Sequence, residues 1–355
     1  IAYFVWPAAV GDQYGLYIAN PDLSGERLVL LSTPHSTASY ERIAFVASDV
    51  PEAVEACARL TALYGAVDPK DADAIIALGG DPLRMSVYSE TDPLPDGLSI
   101  VQIGLVDHDL ARNYSADIAL KADVRETLRA LVPALKAAGG GALETRAKQG
   151  LAALASKNWT AKRKPLIEQI SKAGKTSPID PDWLALQVVE AMPDNAILVD
   201  EGLTSSRQII ALRPHRDRYG YHALASGGIG WGLPASVGIS LANPTRPVVC
   251  YSGDGSSMYS IQSLWTAANH KLPLTFVIVN NGGYRIIKQR LLAFHGDDNY
   301  IGMDFKDPPV DFTGLAKSLG LEATKVTDPS QLKSVLSSAF SRPGAKLIEV
   351  VVSNS

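Results

Sequence analysis

Two short apolar runs, Pro247–Tyr251 and Leu274–Val279, each lead straight into a polar, glycine-bearing turn, and this pairing restricts the fold more than any other feature of the 355-residue chain. The first run ends at Ser252-Gly253-Asp254-Gly255-Ser256 and the second at Asn280-Asn281-Gly282-Gly283. Continuously apolar runs of this length suit strands buried on both faces of a parallel sheet. Between them, Tyr259 to His270 carries Ile261, Leu264, Trp265 and Ala268 at helical spacing, and Pro273 closes the segment. Strand, helix and strand make a βαβ unit. Its parallel strands put both polar turns at one carboxyl edge, where open α/β sheets hold their ligands. Asp254 and Asn281 are therefore predicted to be neighbours in space.

A Gly-Asp-Gly or an Asn-Asn-Gly-Gly on its own is usually only a turn. Two such turns closing consecutive buried strands are harder to explain by packing, which requires neither an Asp nor an Asn there. Asp254 offers a carboxylate, Asn281 an amide oxygen and the Gly282-Gly283 turn a backbone carbonyl. Mg²⁺ takes such hard oxygen ligands and completes its shell with phosphate and water. Gly255 and Ser256 open toward the helix, where backbone N–H groups can face an anion. The pattern fits a diphosphate bridged by a divalent cation.

Strand-like and helix-like segments alternate elsewhere too, which predicts α/β layers around parallel sheets. Arg42–Ala47, Asp73–Leu78 and Ser99–Ile103 read as strands, Pro51–Tyr64 and Val124–Leu135 as helices. From residue 136 to about 178 Ala, Gly and Lys accumulate, and Gly139-Gly140-Gly141 interrupts any helix, so this stretch reads as a connection with one or two helices of its own. A second α/β unit begins near Pro181, with a helix over Trp183–Met192 and a strand over Ala196–Asp200. The predicted architecture is α/β with two doubly wound parallel-sheet domains: residues 1–135, short for such a unit, a linker over 136–180, and the domain with the paired turns over 181–355.

Gly253-Asp254-Gly255, followed after 24 residues by Asn280-Asn281, resembles the signature of thiamine diphosphate enzymes. Ala225 to Ala235 and Tyr259 to Ala268 resemble the corresponding segments of the benzoylformate decarboxylase branch, with acetolactate synthase-like proteins as the neighbouring branch. The resemblance is strong from Pro181 onward and weaker over Asp73–Leu135, which is similar to the middle domain of that family. It implies thiamine diphosphate and Mg²⁺ as cofactors. Asp254, Asn281 and the carbonyl of Gly283 are implied as metal ligands, and Thr204, Ser205, Gly228, Gly255, Ser256 and Tyr284 as cofactor contacts. Many relatives carry a side chain at the Gly283 position, so a glycine there is expected to serve through its carbonyl on a more flexible turn. Ile229 matches the large apolar residue that bends the cofactor in that family, and Ile287 matches a substrate-pocket position, with helix packing as its other reading. For Thr204 and Ser205 the other reading is hydroxyls that satisfy a loop. Arg285, Lys288 and Arg290 depart from the branch's apolar pattern and read either as facing an anionic substrate or as a solvated helix face. His222 and His295 match no proton-transfer position and read as structural.

The implied activity is non-oxidative decarboxylation of a 2-oxo acid, with acetolactate synthase-like carboligation or C–C cleavage as the alternative. A non-catalytic cofactor-binding subunit or fragment is the alternative of another class. In this superfamily a Glu from a separate pyrimidine-binding domain activates the cofactor; no counterpart of that domain is evident here, so no catalytic residue is assigned. A homo-oligomer (dimer or tetramer) or a partner chain supplying that domain is implied. Nothing compels FAD in the middle domain. Lys plus Arg total 33 against 37 Asp plus Glu, a net charge of −4 with no basic footprint for nucleic acid or a membrane surface. No apolar run is long enough for a spanning helix. Ile1 to Val10 lacks the charged start and cleavage site of a signal peptide, and a start without Met fits a fragment edge. Cys57 and Cys250 lack metal-ligand spacing and fit buried thiols in a reduced, cytoplasmic protein.

Overall fold

The computed structural model describes residues 2–5, 15–18, 27–28, 43–47 and 74–79, residues 94 and 96–131, scattered positions up to 155, and 159–353 apart from 215, 216, 218, 224–227 and 297. The chain divides into two compact units, Ile1–Lys162 and Arg163–Ser355.

In the first unit, β4 (Ile43–Ala47), β5 (Ala74–Leu78), β6 (Ser99–Gly104) and β7 (Ile118–Lys121) form a parallel sheet in sequence order. Three of these are the strands predicted from the sequence. The fourth escaped notice because it is an edge strand with every residue exposed, so it lacks the apolar run of a buried strand. Ile75, Leu94 and Ile100 form the sheet's core. The predicted helix at Val124 is present, with Asp123 capping it through a 2.9 Å bond from the Glu126 N–H. The helix read over Pro51–Tyr64 lies outside the described residues. A three-stranded antiparallel sheet, β1 (Ala2–Val5), β2 (Gly15–Ile18) and β3 (Arg27–Leu28), was not foreseen.

The second unit is a six-stranded, all-parallel sheet. Its strands are β8 (Ile197–Glu201), β9 (Tyr221–Ala223), β10 (Val248–Gly253), β11 (Leu274–Asn280), β12 (Glu322–Val326) and β13 (Lys346–Val351), in the order β12-β13-β11-β10-β8-β9. Alternate side chains of the buried strands enter two separate cores. Val249 and Tyr251 of β10 pack with α2 (Pro181–Ala191) and α8 (Leu332–Ser341); Val248 and Cys250 pack with α3 (Gly232–Ala242), α5 (Ser263–Asn269) and α7 (Phe312–Ser318). This two-sided burial is why β10 and β11 read as unbroken apolar runs. Helix α1 (Trp159–Ser171), inside the stretch read as a linker, contributes Ile170 to the first of these cores.

After β8 the chain steps outward to β9, whereas after β10 it steps the other way to β11. Neighbouring strands β8 and β10 therefore flank a topological switch point, the usual ligand crevice of such sheets. The sequence reading misplaced the helix that follows β10. Helix α4 (Asp254–Met258) starts at the motif itself, the chain turns at 259–262, and only then does α5 begin. Successive i→i−3 bonds, Tyr259 N–H to Ser256 O and Ser260 N–H to Ser257 O, break the helix that the apolar spacing suggested. Trp265, expected on the apolar face, is 56% exposed, while Leu264 and Ala267 are buried.

Candidate functional site

Strands β10 and β11 pair in parallel, so their two turns emerge side by side as predicted. Asp254 is the first residue of α4 and is buried. Its Oδ2 accepts the N–H groups of Gly282 (2.8 Å) and Gly283 (3.0 Å), and its Oδ1 accepts that of Gly255 (2.8 Å). Burial pushes its carboxyl up to about 6, with these backbone bonds opposing the rise. Next to it, the side-chain oxygen of Asn281 is buried and has no hydrogen-bond partner, and Ser256 Oγ is in the same condition. Buried polar atoms are seldom left unsatisfied without a ligand, ion or water to meet them. The Gly283 carbonyl accepts the Arg285 N–H at 3.0 Å and keeps a second lone pair. Asp254, Asn281 and Gly283 thus present hard oxygens and suit Mg²⁺ completed by ligand phosphates. Among the described residues no group of three or more His, Cys, Asp or Glu could hold a metal by itself.

The turn at Gly282-Gly283 is held more firmly than a glycine pair suggested. Phe305 donates its N–H to Gly282 O, Tyr284 donates its own to Met303 O, both at 2.9 Å, and Gly283 bridges Asp304. A Cβ on Gly283 would fall inside the contact distance of the Met303 carbonyl oxygen. The Asn280 amide clamps the same turn: its oxygen accepts the Gly282 N–H at 3.0 Å, and its Nδ2 donates to Glu349 Oε1 at 2.8 Å. Glu349 is fully buried on β13 and also meets Lys325 Nζ at 2.7 Å. Replacing Glu349 with Ala should cost about 1–3 kcal/mol, the scale for leaving the Asn280 donor without its partner, since Lys325 can turn to solvent. Urea unfolding measures it, and an unchanged midpoint would contradict the clamp.

At the end of β8, Thr204 and Ser205 are buried in a short turn, and Tyr251 donates its hydroxyl to Ser205 O at 3.1 Å. Asp200, raised by burial, accepts from Gly202 N and from the Tyr221 hydroxyl. Glu201, next in line, accepts the N–H groups of Gly230 (2.5 Å), Trp231 (3.3 Å) and Gly232 (2.8 Å). Ile229 is half-buried on that loop, beside the exposed Gly228. Gly230 has φ +95°, and a Cβ on it would come 2.5 Å from Tyr259 Cβ. Tyr284 lies over Gly255, where a Cβ would meet its ring at 2.7 Å, packs edge-on against Phe305, and hydrogen-bonds Tyr259.

The basic residues of α6 (Arg285–His295) divide. Lys288 fits neither reading: its side chain is only 12% exposed, it pairs with Asp304 at 2.6 Å, and it lies over the Tyr300 ring. Arg285 is partly buried among Arg207, Asp182 and Asp180, while Arg290 is exposed. No residue of α6 is buried, and Ile287 is 40% exposed, so helix packing does not account for it. His222 is engaged by the Tyr219 carbonyl at 3.1 Å. The Cys250 thiol, wholly buried, is pushed up to about 12, and Cys57 lies outside the described residues.

Sequence reasoning missed Glu201, Glu349, Tyr259 and the Met303–Phe305 strap. The two glutamates had a signal: Glu349 is a lone carboxylate within an apolar strand run, and Glu201 follows Asp200 at the end of one, where an ionised group needs dedicated partners. The strap had none, because its contact with the motif is purely backbone.

Residues 204–350 match the family model for the C-terminal thiamine pyrophosphate-binding domain of thiamine pyrophosphate enzymes. The chain is 38% identical over 174 residues to the "Putative acetolactate synthase large subunit IlvX" of Mycobacterium tuberculosis, covering 47% of this chain and 34% of that protein. It is 29% identical over 283 residues to benzoylformate decarboxylase of Pseudomonas aeruginosa, covering 78% and 48%. The fold matches a solved Rhodococcus jostii thiamine diphosphate-dependent 4-hydroxybenzoylformate decarboxylase with a TM-score of 0.68 at 24% identity, over 88% of this chain and 62% of that one. The chain thus spans between a third and a half of the length of these curated relatives. Among the described residues no helix is long and apolar enough to cross a membrane.

Proposed function

We propose, for a chain whose residues 204–350 are the thiamine pyrophosphate-binding domain of a thiamine pyrophosphate enzyme, that Asp254, Asn281 and the Gly283 carbonyl hold Mg²⁺ against the diphosphate of the cofactor. The single observation that carries this is the buried, partnerless Asn281 oxygen beside the buried Asp254 carboxylate. Gly255, Ser256, Thr204, Ser205 and Tyr284 surround the same crevice as diphosphate contacts, with the orphaned Ser256 hydroxyl as a ready donor. Gly228 and Ile229 lie under the cofactor rings, and Ile287 faces the substrate.

The proposed activity of the full-length protein is non-oxidative decarboxylation of an aromatic or branched 2-oxo acid. The cofactor, when bound, supplies a carbanion nucleophile and an electron sink for the departing carboxylate. The chain's residues bind and orient it. The glutamate that activates it is supplied by a pyrimidine-binding domain, from further sequence or from a partner chain, so the working enzyme is an oligomer or a complex. Carboligation is the second reading, supported by the 38% identity over 174 residues to a protein named as a putative acetolactate synthase large subunit. Isothermal titration should detect binding only when Mg²⁺ and thiamine diphosphate are added together. The full-length protein should release CO₂ from one or more members of a 2-oxo acid panel, and silence across the panel would sink the decarboxylase reading.

The raised Asp254 carboxyl gives this binding a pH signature. A metal needs the ionised form, so affinity should fall about tenfold per unit as pH drops below about 6. Stability of the cofactor-free protein runs the opposite way. A carboxyl raised when folded binds its proton more tightly than in the unfolded chain, so its contribution is fully present below its ordinary value of 3.8 and is lost as pH rises through about 6. Metal titrations between pH 5 and pH 8 test the first sign; affinity independent of pH would remove Asp254 from the ligand set.

A further inference from the structure

Glu201 is a carboxylate 1% exposed at the carboxyl end of β8, directly at the switch point. A buried anion there needs dedicated partners. Both of its oxygens are occupied, by three consecutive backbone N–H groups of residues 230–232 at 2.5, 3.3 and 2.8 Å. These groups belong to the approach to α3, so the carboxylate acts on the loop as a cap does on a helix start. The grip is close. A Cβ on Gly232 would come 2.7 Å from Glu201 Oε2, and one on Gly230 would come 2.5 Å from Tyr259 Cβ, so the loop is wedged between the two residues. Ile229 is the residue immediately before the gripped segment, whose Trp231 side chain also packs against the core of β10 and α3. Its height above the crevice is set by Gly230, whose N–H makes the shortest of the three bonds.

We infer that Glu201 is a positioning residue: by holding Gly230–Gly232 it fixes Ile229 at the height at which that side chain supports the rings of the bound cofactor. This rests on the cofactor reading above, and it assigns Glu201 no contact with the diphosphate or the metal. It therefore predicts a split between two probes. In Glu201→Gln the amide group must face at least one loop N–H, donor against donor, while the overall shape is kept. Calorimetry on the full chain should show magnesium pyrophosphate affinity within about twofold of wild type, and magnesium thiamine diphosphate affinity weaker by roughly tenfold or more, the scale typical of groups that orient a ligand-contacting residue. Glu201→Asp, which keeps the charge but retracts it, should fall between them and serves if the glutamine variant does not fold.

A second arm separates positioning from general support of the fold. In an Ile229→Ala background the Glu201→Gln change should have no further effect on thiamine diphosphate affinity, because the coupled pair has already been cut. Equal weakening of both probes, or full additivity with Ile229→Ala, would overturn the inference. A wild-type chain that binds magnesium pyrophosphate but gains nothing from the thiamine rings would overturn it too, while sparing the diphosphate reading. A wild type that binds neither probe would overturn the reading beneath it.

Discussion

Asp254→Asn should all but abolish the stabilisation of this protein by magnesium and thiamine diphosphate while leaving the cofactor-free fold nearly as stable as before. The two halves of that expectation have separate causes. In the empty protein the carboxylate is held against the cost of burial, as its rise to about 6 shows, and three backbone N–H groups hold it there. An amide of the same shape keeps one oxygen for Gly282 and Gly283 and sheds the buried charge, so the lost Gly255 bond, worth about 1 kcal/mol, is partly offset. The metal has no such compensation. It loses its one anionic protein ligand, and affinity should drop by at least about 100-fold, the upper scale seen for disrupted metal shells. Ligand at about a hundred times Kd adds roughly 2.7 kcal/mol to wild type, which raises Tm by about 5–10 °C in a unit of this size. Thermal scans with and without the two ligands should show that rise in wild type and about 1 °C or less in the variant, for which the same concentration is at most about Kd. A variant that kept the rise would mean that Asp254 is not a ligand.

What the sequence disclosed follows from which interactions leave a trace in one dimension. The βαβ unit was legible because β10 and β11 are buried on both faces, and full burial writes an apolar run ended by the first polar turn. The approach of Asp254 to residues 281–283 followed from topology alone, since parallel strands share a carboxyl edge. The helix after β10 was misplaced because apolar spacing marks which residues face the core and not where the backbone starts to wind; the serines at 256, 257 and 260 allowed a turn where Ile261 and Leu264 suggested continuity. Lys288 was read as a surface or ligand-facing charge because its partner Asp304 lies on the strap, across a segment with no pattern to predict its return. The roles carried over by resemblance, for Ile229 and Ile287 above all, have no counterpart in composition or periodicity. Their geometry gives only position: one half-buried on a gripped loop, one exposed on a helix.

Gly283→Ala is the substitution for which the strap matters most. Gly282 and Gly283 are adjacent glycines of one turn, yet a side chain meets opposite fates at the two positions. At Gly282 a Cβ would find nothing within 4 Å, and its only cost is the left-handed backbone at φ +79°. That costs about 1–2 kcal/mol for an alanine. At Gly283 the new atom would overlap the Met303 carbonyl oxygen and lie 3.2 Å from Asp304 Cα, both backbone and neither able to swing aside. The strap must then move away, breaking the Tyr284 N–H bond to Met303 and the Phe305 N–H bond to Gly282. Overpacking costs about 1–3 kcal/mol and each of the two lost bonds about 1 kcal/mol more, so Gly283→Ala should destabilise the second unit by about 3–5 kcal/mol, some two to three times the Gly282→Ala effect. Because the displaced strap also holds the turn whose carbonyl is the proposed third metal ligand, magnesium affinity should fall in the same variant. Paired denaturation curves and metal titrations of the two variants check both expectations. Two alanines of equal cost would mean that the space over Gly283 is open and that Met303–Phe305 does not close the turn.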